Sequence, residues 1–303
     1  MDCLIWLRTG SRVAARTTVS QSTISRNARK CADVFSVSLV RRQAEWYLKG
    51  DLTLLKLQRH VHQLVRWRHD QPLRLEAQHW SAPFLCPPLP DGWIAGNLDF
   101  LEFHRPLQLL KDHVIDAWVT SYPDVPDDDP DLVSIRLSRM PMMLVVNDGH
   151  PLLELGDRVS FEDIAYYPIL PLPDGAFPWF QQVLVDCGLW DTSAKGSSAE
   201  RPSWRGQSGA EDLMVGFSTP LTLSLYGDSI RPLPLRLPVA VGDALVVARE
   251  FADYPQTHQL ASVLRTRLRT LAATLAELEI LESGVAVAAV SPAIQSMVPA
   301  GLP

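Results

Sequence analysis

A small, basic, mainly helical head joined through one long helix to a larger α/β body is the fold class this sequence predicts. Three observations carry the prediction. Residues 1–70 hold 13 Lys or Arg against 5 Asp or Glu, a balance of +8. The remaining chain holds 15 against 29, a balance of −14, which gives the net charge of −6. An apolar seam at three-four-three spacing occupies 52–68. Beyond Gln71-Pro72, short apolar runs alternate with amphipathic segments, the texture of an α/β body. At 303 residues and 47% apolar, the chain is long and apolar enough for more than one core.

The head starts with "RVAARTT" (12–18), whose Val13, Ala14 and Ala15 are small enough to let two short helices cross. "VSQSTISRNARK" (19–30) follows. Ser20 is a good N-cap, because its hydroxyl can accept from a free N–H of the first turn. Ile24, Ala28, Cys31 and Phe35 recur at spacings of four, three and four, one buried stripe of an amphipathic helix. A tight turn between two short helices, the second fronted by polar residues, is what a helix-turn-helix requires. "SVSLVRRQAEWYLKG" (36–50) then reads as a hairpin wing bearing Arg41 and Arg42.

A basic module on an acidic body suits double-stranded DNA, since neutralising phosphates releases counterions. Gln21, Ser22, Ser25 and Arg29 are expected to face base edges, where glutamine and arginine can bond bidentately. Thr23, Arg26, Arg41 and Arg42 are expected on phosphates, beside the cap Ser20. The plainer alternative is a capped, solvated helix with exposed charges. Leu54, Leu57, Val61 and Leu64 form the seam of the next helix and are expected to dimerise the chain, the alternative being packing on its own domain. Pro72 ends that helix.

In the body, "LRLEA" (73–77), "VIDAWVTS" (114–121), "MMLVV" (142–146), "PIL" (168–170) and "DALVVA" (243–248) read as strands of a largely parallel sheet. "AFPWFQQVLVDCGLW" (176–190), "AEDLMVGFS" (210–218) and "HQLASVLRTRLRTLAATLAELEIL" (258–281) read as helices. "YPDVPDDDP" (122–130) reads as a solvated crossing, without the glycine or alternating ligands of a cation loop. Ser208 and Glu211 have capping-box spacing, as do Ser160 and Asp163. A helix N-terminus opening on a cleft accepts a small carboxylate or phosphate; ordinary capping is the alternative.

Motifs of catalysis are missing: there is no phosphate-cradling glycine loop, G-x-S-x-G, H-E-x-x-H or Cys/His cluster. An enzyme, a metal site and a cofactor are therefore not expected. Cys3, Cys31, Cys86 and Cys187 lack CxxC spacing, which argues against zinc and suits a reducing cytoplasm. Nothing in the sequence brings Cys86 and Cys187 together as a thiol sensor. The longest purely apolar candidate, "GVAVAAV" (284–290), falls well short of the roughly 20 residues of a membrane helix, and the N-terminus lacks the pattern of a signal peptide.

The order of these pieces resembles a LysR-type transcriptional regulator over roughly residues 2–275. The family's reading head is matched by Thr9-Gly10-Ser11, Ala14-Ala15, Val19-Ser20-Gln21, Ser25-Arg26 and Phe35, and its wing start by Leu39-Val40-Arg41-Arg42. "LVVNDGHPLLELGDRVSFEDIAYYPIL" resembles the family's strand, His-Pro-Leu turn, short helix and strand, and "VGFSTPLTLSLYG" its return segment. The resemblance implies a winged helix-turn-helix over 1–50 and a dimerising linker over 51–71. It further implies a two-lobed domain similar to periplasmic binding proteins over 72–283, with crossings near 121 and 226, and a tail over 284–303. A small effector, often an anion, would lie between the lobes near Ser81 and Ser121, with Pro171, Pro173, Gln207 and Ser208 on the other wall. A homodimer or homotetramer is implied, with no membrane partner. Where the family has an amphipathic helix, this chain has "APFLCPPLPDGWIAGN", which shortens one wall. The rival expectation is a small-molecule-binding or enzymatic α/β protein whose N-terminal helices only dimerise it.

Overall fold

The computed structural model describes residues 1–42, 44–69, 71–101, 103–172, 175–190, 213–225 and 229–282. The head holds three helices, α1 (Asp2–Leu7), α2 (Gly10–Arg16) and α3 (Gln21–Val34). The antiparallel hairpin of β1 (Ser38–Arg42) and β2 (Glu45–Lys49) follows. Thr9 and Ser20 cap α2 and α3, accepting from the N–H groups of Arg12 and Thr23. The buried stripe of α3 is Ile24, Ala28 and Ala32. Ala32 takes the place expected for Cys31, which with Phe35 is only half-buried.

The linker helix α4 (Thr53–Arg68) has two different faces. On the inner face, Arg59 donates to Asp2 at 3.0 and 2.7 Å, and Arg66 makes two 2.8 Å bonds to Asp116. Gln63 there donates to the carbonyl of Ile115, and Trp67 stacks on Phe251 at 4.6 Å. The outer face leaves Leu54, Leu57 and Val61 at 69, 60 and 57% exposure. Leu64 departs from the expected seam, since it packs half-buried against the body's own core. Val65, one residue on, is exposed instead. The reason is the rotation of α4 set by the Arg66–Asp116 pair, which turns Leu64 toward the body's core and leaves Val65 outward.

The body is built on an eight-stranded sheet of β3 (Leu73–Ala77), β4 (Trp93–Ala95), β5 (Ala117–Tyr122), β6 (Leu132–Arg136), β7 (Ser138–Asn147), β8 (Gly216–Ser218), β9 (Ile230–Ala248) and β10 (Glu279–Ile280). The order is β10-β7-β9-β5-β3-β4, with β6 also on β9 and β8 on β7. Only the β3–β4 and β3–β5 pairs among these strands are parallel; β5, β6 and β7 all run antiparallel to β9. The sheet is thus mixed rather than largely parallel. Strands buried on both faces read as apolar runs in either direction, so the pattern does not fix orientation.

Two lobes arise because β9, 19 residues long, serves both. Its second half pairs with β5 and β6 in the first lobe, and its first half pairs with β7 in the second. The chain therefore crosses at the start of β7 and returns in the middle of β9, not near 121 and 226; residue 226 itself lies outside the described residues. "YPDVPDDDP" stays with the first lobe, where Asp127 pairs with Arg136 and Asp129 with Lys111, while Val125 is buried. Gly242 permits the crossing, because a Cβ there would lie 2.1 Å from the Ser138 carbonyl and 2.7 Å from Tyr122 Oη.

Two helix expectations change. Of "AEDLMVGFS", residues 210–212 lie outside the described residues and 216–218 form β8, antiparallel to β7. A short apolar run fits either period, and the free edge of β7 decides. The last helix is α10 (Pro255–Ala272), ending where the Thr274 hydroxyl and N–H both turn back to the Leu271 carbonyl, before β10.

The first lobe's sheet buries alternate residues on opposite faces. Leu75, Val119, Leu245 and Val247 meet α10, the short α5 (Ala82–Leu85) and Trp67. Trp118 and Val246 face α6 (His104–Lys111) on the other side. That second core also takes in Ile5, Trp6, Leu7, Val13 and Ile24, so the head and first lobe share one core. The second lobe closes Leu144 and Val146 under α7 (Phe161–Ile164), α8 (Pro178–Asp186) and their loops; α9 (Pro220–Leu223) follows β8. Among the described residues, no helix is long and apolar enough to cross a membrane.

Asp116 is fully buried, so Arg66→Leu would leave its carboxylate without a guanidinium. The expected cost is about 3–5 kcal/mol in urea denaturation, against under about 0.5 for the exposed Arg68→Leu.

Candidate nucleic-acid interface and effector cleft

The polar side of α3 is bare. Ser22, Ser25, Arg26 and Arg29 are exposed at positions three, four and seven apart, which puts them on one face. Ser20 is held as the cap, Ser25 Oγ donates to the Gln21 carbonyl, and Arg26 donates to Thr23 Oγ1. Gln21 is exposed, with its stem lying over Gly10, where a Cβ would come within 2.7 Å of Gln21 Cγ. A glycine at this position therefore lets α2 and α3 close. Arg41 and Arg42 are exposed on the wing, with Arg41 over the Trp46 ring at 5.7 Å. The wing is fastened to the body, since Arg105 Nη2 donates to the Trp46 carbonyl at 2.5 Å and its guanidinium lies over Tyr47.

The expected cleft residues Ser81 and Ser121 do come together, with their Oγ atoms 3.5 Å apart. Ser81 lies just after β3, and Ser121 lies near the end of the adjacent β5. Trp80 Nε1 donates to Ser121 Oγ at 3.0 Å, and the Trp80 ring meets Phe177 of the second lobe at 5.7 Å. Pro171 is exposed; Pro173, Gln207 and Ser208 lie outside the described residues, as does the Ser208–Glu211 capping spacing. The Ser160–Asp163 pair is an ordinary capping box opening α7.

Sequence reasoning missed the carboxylate at the centre. Asp243 is opposite Ser121 in the β5–β9 ladder and accepts from Ser81 Oγ at 2.5 Å and Ser138 Oγ at 3.1 Å. Full burial raises its pKa, against the pull of those hydroxyls. The available signal was an aspartate heading the otherwise apolar run "DALVVA". Gln78 was missed as well: its Oε1 accepts from the Ser121 N–H, while its buried Nε2 has no partner among the described residues.

A second carboxylate joins the lobes. Asp124 accepts from the N–H groups of Trp179 and Phe180 at 2.8 and 3.2 Å, occupying the N-terminus of α8. Burial pushes its pKa up to about 6, partly offset by those two bonds. His104 Nε2 and the Gly175 carbonyl, 2.5 Å apart, make another contact between the lobes. Cys86 is buried and its thiol is pushed up to about 12, while Cys187 is also raised by burial, so neither is an activated thiolate. Among the described residues no group of three or more potential metal ligands occurs.

A third carboxylate lies on the head side of β3. Glu76 is fully buried and accepts from the N–H groups of Asn97 and Leu98. Burial nevertheless raises its pKa from 4.5 to about 7. A folded pKa above the unfolded one gives stability that is complete below pH 4.5 and lost as pH rises through about 7. Thermal or urea unfolding across that range is expected to show the decline, and Glu76→Gln to remove a step of about 3 kcal/mol.

Residues 96–193, within the body, match the family model described as the LysR substrate binding domain. No curated protein matches the chain. The fold is similar to a cysteine-to-serine mutant of OxyR from Corynebacterium glutamicum with hydrogen peroxide bound, at 16% identity and a TM-score of 0.50 over 94% of this chain and 96% of that one. It is likewise similar to full-length OxyR with a cysteine-to-aspartate substitution from Pseudomonas aeruginosa, at 18% identity and a TM-score of 0.51 over 87% of this chain and 92% of that one.

Proposed function

We propose that this chain, whose body matches the LysR substrate binding domain over residues 96–193, is a LysR-type transcriptional regulator that binds specific double-stranded DNA. The observation that carries this reading is the exposed polar and basic face of α3, capped at Ser20 and followed by a wing with two exposed arginines. Gln21, Ser22, Ser25 and Arg29 read base edges; Ser20, Thr23, Arg26, Arg41 and Arg42 hold the backbone. The outward stripe of α4 pairs two copies, in a homodimer or as half of a homotetramer, and sets the spacing of two reading heads. Such a regulator works on chromosomal DNA in the cytoplasm and catalyses no reaction.

The effector lies beside Ser81 and Ser121, with Pro171 on the facing wall; Pro173, Gln207 and Ser208 lie outside the described residues. Asp243 gives this cradle its chemistry. Asp243 takes the hydroxyl protons of Ser81 and Ser138, so the cradle presents serine oxygens as acceptors and favours a ligand that brings N–H or O–H donors. This narrows the broader expectation of an anionic effector.

Genome-wide mapping of bound sites, followed by titration of full-length protein on a recovered site, tests the reading. Affinity is expected to fall steeply with salt, with a log–log slope of roughly −0.9 for each phosphate neutralised. Gln21→Ala is expected to lose about 1–3 kcal/mol on the specific site and almost nothing on random DNA. Leu57→Lys combined with Val61→Lys is expected to yield monomers in sedimentation at unchanged monomer stability, since both residues are exposed. The core shared by head and body favours a second reading, in which the N-terminal helices brace and dimerise a small-molecule-binding protein. Dimers that ignore DNA at low salt would select it.

A further inference from the structure

A cleft of about 370 Å³ opens where α1, α2 and α4 meet β3 and β4, away from the Ser81–Ser121 cradle. Trp6, Leu7, Val13 and Ile94 supply apolar walls, and Arg16, Arg66 and Arg74 bring three guanidinium groups. Arg66 is neutralised by Asp116. The other two have no such partner: among the described residues, no carboxylate lies within ion-pair distance of Arg16 or Arg74. Arg16 donates to the Ala95 and Gly96 carbonyls. Arg74 donates to the Val114 carbonyl at 2.9 Å and reaches Cys3 Sγ at 3.9 Å, with its guanidinium 5.3 Å from the Trp6 ring.

The half-buried Arg74 guanidinium is hydrogen-bonded only to neutral acceptors, and Asp116 and Asp2 act on its charge from beyond ion-pair distance, so it has no direct counterion. Burial, then the neighbouring Arg66, push the Arg74 pKa down, with Cys3, Asp116 and Asp2 pulling the other way, and an anion in the cleft would add to that upward pull. The apolar walls select against bare inorganic anions, because a strongly hydrated ion gains nothing from Leu7, Val13 and Ile94.

We propose that this cleft binds a small amphipathic monocarboxylate, its carboxylate on Arg74 and Arg16 and its apolar body against Trp6, Val13 and Ile94. The ligand touches the head, the linker helix and the first lobe at once, and its binding fastens that junction. The site is separate from the effector cradle.

Calorimetric titration and thermal melting of the full chain with hexanoate, hexanamide and inorganic phosphate test the proposal. Hexanoate is expected to bind and raise the melting temperature, with the neutral amide and phosphate each at least about tenfold weaker. Arg74→Gln should weaken hexanoate by about tenfold or more. Ile94→Glu supplies a second route, since Ile94 is partly exposed and is the register partner of Arg74 across β3 and β4. Its carboxylate should replace the ligand internally, abolishing hexanoate binding while raising the melting temperature of the free protein. Equal binding of hexanamide, preference for phosphate over hexanoate, or undiminished hexanoate binding by Ile94→Glu would each overturn the proposal. Ser81→Ala should leave hexanoate binding unchanged; loss of binding there would assign the ligand to the effector cradle and overturn it too.

Discussion

The bidentate pair of Arg66 and Asp116 is the contact on which the arrangement of this molecule turns. Asp116 lies immediately before β5, fully buried, and Arg66 reaches it from the last turn of α4. A charge so placed is tolerable only with its partner and with its remaining lone pairs filled. The Arg74 N–H supplies a further bond to the same carboxylate. The pair therefore fixes the rotation of α4 about its own axis. With that face turned inward, Arg59 falls on Asp2 and Trp67 on Phe251, and Leu54, Leu57 and Val61 are left outward.

From that orientation the placing of the head follows. Asp2 starts α1, so its bond to Arg59 lays Ile5, Trp6 and Leu7 against α6 and Trp118. Arg8 extends the attachment through Glu45 of the wing and Asp99 of the body. The apolar residues of the N-terminal segment are consumed in this docking. The polar side of α3 and the arginines of the wing are left in solvent, where the positive balance of the segment is concentrated. Packing and charge thus divide the head into an anchored face and an open one. The cleft around Arg74 is the seam left between the anchored parts.

The acidic groups of the body play a different part. Asp243, Asp124 and Glu76 are buried carboxylates held by hydroxyls or backbone N–H groups, and burial raises the pKa of all three. One of them occupies a place that the sequence reading gave to an effector, since Asp243 faces Ser81, and Asp124 fills the start of α8. Internal carboxylates there change what the region between the lobes can accept. The likeness to OxyR structures extends to the fold; in this chain Cys86 is buried and Cys187 half-buried, and burial raises the pKa of both thiols.

Local rules were enough for much of this protein. The cap at Ser20, the α3 helix, the hairpin, the limits of α4 and the strand at 73–77 all depend on neighbours within a few residues, and the sequence spells those out. The charge split between head and body is likewise a property of composition. Other features depended on partners far along the chain. The choice of Val65 over Leu64 for the outer stripe follows from the rotation set by Asp116. The conversion of 216–218 into β8 needed the free edge of β7, and the antiparallel run of β9 needed both lobes. Asp243 looked like a strand start until Ser81, 162 residues earlier, closed on it. The sequence by itself determined the head's helices, its hairpin, α4 and the strand at 73–77, and which end of the molecule is positive, because those follow from short-range sterics and composition. Only the tertiary structure decided which polar groups are buried together, because desolvation and pairing are set by residues that meet in space.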